Sequence, residues 1–194
     1  GQSLSRLVME KKHQVDLLFD LQFDLMDALM NELFVIDFFK ELALTNTVDQ
    51  EKLAQIAAML ERRHSLANGL YENIFFTHND HILVDGLGGQ SVGYRMDEEL
   101  EYYYYEQLEN PGEATGKYMY SPITGRPTLP LVNSIVDDAT RKVLSVFVIP
   151  IDVNRLTESL VERDVDQHIG TMILDPKGLV IASDQADLTL RLSF

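Results

Sequence analysis

The stretch PTLPLVNSIVDDATRKVLSVFVIPID, residues 127–152, decides the fold. Two runs rich in Val, Ile and Leu, 127–136 and 143–152, flank the polar segment DDATRK at 137–142. Such runs, bounded by turn-forming polar residues, read as strands joined by a tight connection. A parallel neighbour would need a crossover of a dozen or more residues, so the two strands must run antiparallel.

Outward from this pair the same period recurs. YENIFF (71–76) and HILVDG (81–86) flank His78, Asn79 and Asp80, a good hairpin turn. A strand at 116–120 precedes a turn at Thr124 and Gly125, and GTMILDPKGLVIAS (170–183) reads as a last hairpin around Pro176, Lys177 and Gly178. Helices are expected at 97–109, closed by ENPG, and at 153–164. Gly86, Gly88 and Gly89 break the chain after the first hairpin, and GLGG at 86–89 reads as a flexible loop over a pocket.

The first 69 residues are helical in pattern. Asp16, Asp20, Asp24, Asp27 and Asn31 form one polar stripe, with Leu18, Leu21, Leu25, Leu29 and Ile36 opposite. Beyond Leu33, apolar residues from Phe34 to Phe39 surround the axis, so a single helix over 3–44 is expected to end enclosed. At ~1.5 Å per residue it would reach roughly 60 Å, and its amino end would project beyond the body. Thr47 and Gln50 have the spacing of a capping box opening a second helix over 48–67, which Asn68 and Gly69 end. The expected fold is α+β: two N-terminal helices (1–69) packed on a PAS-like antiparallel sheet of five or six strands (70–194), as one structural unit.

Composition narrows the function. A net charge of -15 repels nucleic acid and anionic lipid headgroups, and favours neutral, zwitterionic or cationic ligands. The chain has no cysteine, which removes disulfides, thiolate metal sites and cysteine nucleophiles and suits an oxidising periplasm. No apolar run is long enough to span a bilayer. No catalytic triad, phosphate-cradling loop or H-E-x-x-H motif appears, so neither enzyme activity nor a cofactor is expected. His78, Asp80 and His81 have metal-ligand chemistry, but turn-forming polarity accounts for all three, and no metal is assigned.

The ordered series SPITGRPTLPLVNSIVDD, VLSVFVIPIDVNRL and GTMILDPKGLVIASD, preceded by long helices and a hairpin, resembles the Cache family. These are extracytoplasmic PAS-like sensor domains of bacterial chemoreceptors, histidine kinases and diguanylate cyclases. The similarity is carried by the turn from Tyr118 to Pro127, by Ile151-Asp152-Val153, and by Asp175, Gly178 and Ala182. It implies a small-molecule sensor tethered to the inner membrane, homodimeric through its first helix, either a single module or the distal half of a tandem. The alternative is a structural or dimerisation module that binds no small molecule.

The resemblance also implies a site. Aligned back from ENPG, the family's aromatic pair falls on Tyr103 and Tyr104 within the run Tyr102–Tyr105. Glu101 stands where amino-acid binders carry a carboxylate-gripping arginine, and Ser121 stands where they carry an aspartate. The later aspartate is kept as Asp152, whose other reading is a cap on the helix that follows. An acid at 101 argues against a standard α-amino acid and for a neutral or cationic ligand. Tyr102, Tyr118 and Tyr120 are further candidates for an aromatic wall, and Arg95 for a contact from the preceding loop.

Overall fold

The computed structural model describes residues 2–162, 172–174 and 180–183. Three helices come first: α1 (Gln2–Met30), α2 (Leu33–Thr45) and α3 (Gln50–Leu66). The hairpin β1 (Phe75–His78) and β2 (His81–Asp85) leads to α4 (Tyr102–Glu109) and two short strands, β3 (Thr115–Gly116) and β4 (Met119–Tyr120). The long strands β5 (Pro127–Val136) and β6 (Val143–Asp152) run into α5 (Val153–Glu162), and β7 (Met172–Leu174) and β8 (Val180–Ser183) complete the order.

The main sheet has six strands in the order β2-β1-β6-β5-β3, with β4 also on β5, and every pair is antiparallel. This is the α+β, PAS-like arrangement that the short connections require. The elements after α3 differ from the sequence reading in several details: β1 begins at Phe75, not at Tyr71, and α4 begins at Tyr102, not at Asp97. The expected strand at 116–120 is two fragments, and β7 and β8 pair with each other as a separate sheet. Asp175, Gly178 and the turn at 176–178 lie outside the described residues, as do 163–164 of the expected last helix.

Strand alternation sorts the side chains into two layers. Leu129, Leu131, Phe147, Ile149 and Ile151 point into a core shared with α1, α2, α3 and α5. Val132, Val146 and Val148 face the other way, against Tyr103 and Tyr104 of α4. The helices are therefore not all on one side, because α4 covers the second face. At the centre of the first layer Phe76 stacks on Phe147 at 4.1 Å, and Phe39 of α2 leans on Phe76 at 5.3 Å.

The single helix expected over 3–44 is broken at Asn31 and Glu32. The Asn31 side chain donates to the Asp27 carbonyl at 2.8 Å, Glu32 is extended, and the ladder restarts as Val35 and Ile36 donate to the Glu32 carbonyl. Helical period gives the reason. The inner face of α1 is Val15, Phe19, Gln22, Met26 and Leu29, and its unbroken continuation would carry Asp37 and Lys40 inward. The break re-aims the chain so that Val35, Phe38, Phe39 and Leu42 are buried, while Leu33 is left 75% exposed. The Phe34–Phe39 section is thus not enclosed. The capping box also gives way, because Asp49 caps α3 by accepting from the Glu51 and Lys52 amides at 3.1 Å. Thr47 instead bonds back to Thr45.

Among the described residues no helix is long and apolar enough to cross a membrane. Phe147→Ala removes a fully buried ring from the stacked centre, and is expected to cost about 3–5 kcal/mol, read as a lower urea midpoint.

Candidate functional site

A cavity of about 100 Å³ opens on the α4 side of the sheet, where β5 is unpaired between its β3 and β4 partners. Its floor is Phe75, Thr128, Pro130 and Pro150. The two prolines face each other across β5 and β6, Pro130 falling in that gap, where its missing N–H leaves no ladder bond unmade. Tyr103 of α4 and Glu101 just before it form one wall. Leu87, Ser91, Tyr94 and Met96 come from the loop after β2, and Ser121 to Thr124 come from the turn before β5.

Glu101 is the unusual group. Asp97 organises the turn that delivers it, its carboxylate accepting from the Glu99 and Leu100 amides at 2.9 and 3.0 Å. Glu101 then precedes α4 without capping it, only 1% exposed, and among the described residues neither of its carboxyl oxygens accepts a hydrogen bond of ordinary geometry. The Tyr94 hydroxyl faces this carboxyl without completing a hydrogen bond of ordinary geometry, and it lowers the acid's pKa less than burial raises it. The net direction is upward from the ordinary carboxylate value. Burial also pushes the Tyr103 hydroxyl up, helped by the charges of Glu101 and Glu72, which it faces. Glu72 is the second acid of the wall, and it accepts from the Ser121 hydroxyl at 2.7 Å. Among the described residues, no Lys, Arg or His lines the cavity.

The nine residues singled out from the sequence divide by position. Glu101, Tyr103 and Ser121 line the cavity together. Tyr104 turns toward the β1–β2 hairpin, donating to the Asn79 carbonyl, and burial raises its hydroxyl to about 12. Tyr102 lies outside beneath the Lys117 ammonium, 5.2 Å from its ring centre. Tyr118 and Tyr120 pack edge to face at 5.7 Å, while Met119 between them points into the cavity. Arg95 pairs with Asp80 at 2.6 Å on the exterior. Asp152 joins two elements: one oxygen takes the Arg126 guanidinium at 2.9 Å, and the other caps α5 through the Arg155 amide at 2.9 Å. His78 and His81 sit ring to ring at 5.8 Å, and no group of three metal ligands exists among the described residues.

Glu72, Asn73, Tyr94 and the two prolines are cavity residues that the sequence reading missed. The prolines carried a usable signal, because each interrupts a largely apolar strand and a register shift at Ile135 and Val136 brings them opposite one another. The loop that covers the cavity is held by Asp85. Its buried carboxylate accepts from the amides of Leu87, Gly89 and Ser91 at 3.1, 2.7 and 2.7 Å and from the Ser91 hydroxyl at 2.6 Å. Burial alone would raise the Asp85 pKa, but these bonds outweigh it and leave it below the usual range.

No family model matches the chain, and no curated protein matches its sequence. Its fold is that of solved bacterial sensor domains. A domain of a putative sensory box/GGDEF protein from Vibrio parahaemolyticus superposes with a TM-score of 0.68 at 18% identity, over 95% of this chain and 71% of that one. The ligand-binding domain of the Pseudomonas aeruginosa amino acid chemoreceptor PctC, in complex with GABA, gives 0.66 at 14% identity, over 98% and 79%. The sensor domain of the Vibrio cholerae histidine kinase DctB gives 0.61 at 12% identity, over 97% and 69%. The chain therefore shares the fold of these sensor domains.

Asp85 and Glu101 must respond to pH with opposite signs. Asp85, with its depressed pKa, stabilises the fold above the unfolded carboxylate's pKa, and that contribution is lost as pH falls through the folded value. Asp85→Asn places an amide donor against other donors and is expected to cost about 2 kcal/mol at neutral pH. Glu101, with its raised pKa, contributes below the unfolded pKa and loses that contribution as pH rises through the folded value. Glu101→Gln is therefore expected to raise the melting temperature near neutrality, with the gain shrinking in acid. Thermal unfolding across pH checks both.

Proposed function

We propose that this chain is the extracytoplasmic small-molecule sensing domain of a bacterial transmembrane signalling receptor. The observation that carries the reading is the cavity between the sheet and α4, whose wall holds a buried carboxyl with no hydrogen bond, within a fold shared with receptor sensor domains. Two acids and no base favour a neutral or cationic ligand over a standard α-amino acid. The domain itself performs no catalysis.

Coupling runs through the turn beside the cavity. Ser121 and Thr124 line the cavity, and the same turn ends at Arg126, which grips Asp152 at the end of β6 and so reaches the cap of α5. A ligand that draws the turn inward loads this ion pair and, through the shared core, α1. The shift is limited by the ligand's differential affinity for the two states. Leu17 and Leu21 stand 54% and 62% exposed one turn apart on α1, which supports a homodimer through that helix.

A thermal-shift screen of amines, amino acids, nucleobases and organic acids tests the reading. One strong stabiliser is expected, with its effect abolished by Tyr103→Ala while the apo fold persists. A flat screen would favour the structural module instead. Sedimentation at high concentration is expected to show self-association that Leu17→Glu with Leu21→Glu removes.

A further inference from the structure

The sensing reading leaves the ligand class broad, and the cavity wall narrows it. Glu101 has two buried acceptor oxygens, and among the described residues no donor makes a hydrogen bond of ordinary geometry to either, an arrangement that costs free energy until a better-placed donor arrives. Of the neighbouring groups, the Tyr94 hydroxyl and the Asp97 amide approach the carboxyl without completing a hydrogen bond of ordinary geometry, and the Asp97 carboxylate opposes its ionisation. A guanidinium or lysine that would complete the pair from within the protein is absent from the lining among the described residues. Resting on the sensing function proposed above, we infer that the cavity takes a compact primary amine, whose ammonium hydrogens are the donors that Glu101 lacks.

The missing element is hydrogen-bond donation and not charge alone, which separates this inference from general cation binding. A quaternary ammonium carries the same charge and no N–H, so it leaves both oxygens unbonded. A neutral alcohol brings one hydrogen and no charge. The apolar floor of Phe75, Pro130 and Pro150 receives the alkyl part of the amine. Protons balance as follows: where Glu101 is protonated in the free protein, the ammonium displaces that proton to solvent and meets the carboxylate. Burial extends the range over which this happens, because it holds the free acid's pKa above its ordinary value. Each amine bound in that range releases one proton, and apparent affinity falls as pH falls.

Calorimetry on the 194-residue chain tests this, using ethanolamine, butylamine and putrescine against choline, butyltrimethylammonium and pentanol. At least one primary amine is expected to bind about tenfold or more tightly than its trimethylated or alcohol counterpart, since a charge-assisted hydrogen bond is at stake. At about pH 5, near the ordinary glutamate range, its heat is expected to change with the protonation enthalpy of the buffer, reporting proton release. Glu101→Gln is expected to abolish both the preference and the buffer dependence without lowering the apo melting temperature. Equal binding of amine and quaternary ammonium by the wild type overturns the inference whatever the variant does. So does preference for a neutral ligand, although small-molecule sensing then stands. Silence toward all the amines overturns it too, and a flat wider screen would remove the sensing function with it.

Discussion

Everything in this molecule hangs on the register of β5 against β6. The pairing sets Leu131 opposite Ile149 on one face and Pro130 opposite Pro150 on the other. A slip of one residue would send both sets to the wrong side. The helical core would receive prolines and a serine, and the cavity floor would fill with leucine and isoleucine. The same ladder spaces β3 and β4 so that a gap remains between them, and the cavity occupies that gap. Core and site are two faces of one hydrogen-bonded pair.

Electrostatics divides the site into a settled part and an unsettled one. Asp85 and Glu101 are both buried carboxyls on the loop side of the sheet. Asp85 accepts four hydrogen bonds and fixes the loop; Glu101 accepts none. A buried polar group without partners is rare in folded proteins, and it stands out most where neighbouring polar groups are satisfied. The contrast within one loop argues that the shortage at Glu101 belongs to the site. General looseness would have left Asp85 short as well.

Much of the fold was legible because it follows from short-range rules. The strand period of 127–152, the short connections and the Asn79 turn each constrain the chain locally, and all appear as read. The α1–α2 break was not legible, since 3–44 is helical throughout by propensity; only the position of the sheet makes an inward Asp37 and Lys40 intolerable. The site was half legible. Resemblance brought Glu101, Tyr103 and Ser121 to attention, and they line one cavity. It also indicated Tyr104, whose direction is set by a 100° step per helical residue and by the Asn79 carbonyl it meets. Glu72 lies just before β1 and Tyr94 in the loop after β2, and their convergence on one cavity is a tertiary event.

The break at Asn31 and Glu32 also governs how force travels. An uninterrupted helix is stiff along its axis and passes a push on one end to the other with little loss. Here the backbone ladder stops and restarts at one extended residue, so α1 is a lever pivoted at Glu32 and α2 is anchored in the sheet. Thrust along α1 is interrupted at this joint, whereas its buried face ties its sideways motion directly to the core. A partner helix lying beside Leu17 and Leu21 would feel rotation and splay more than a piston stroke.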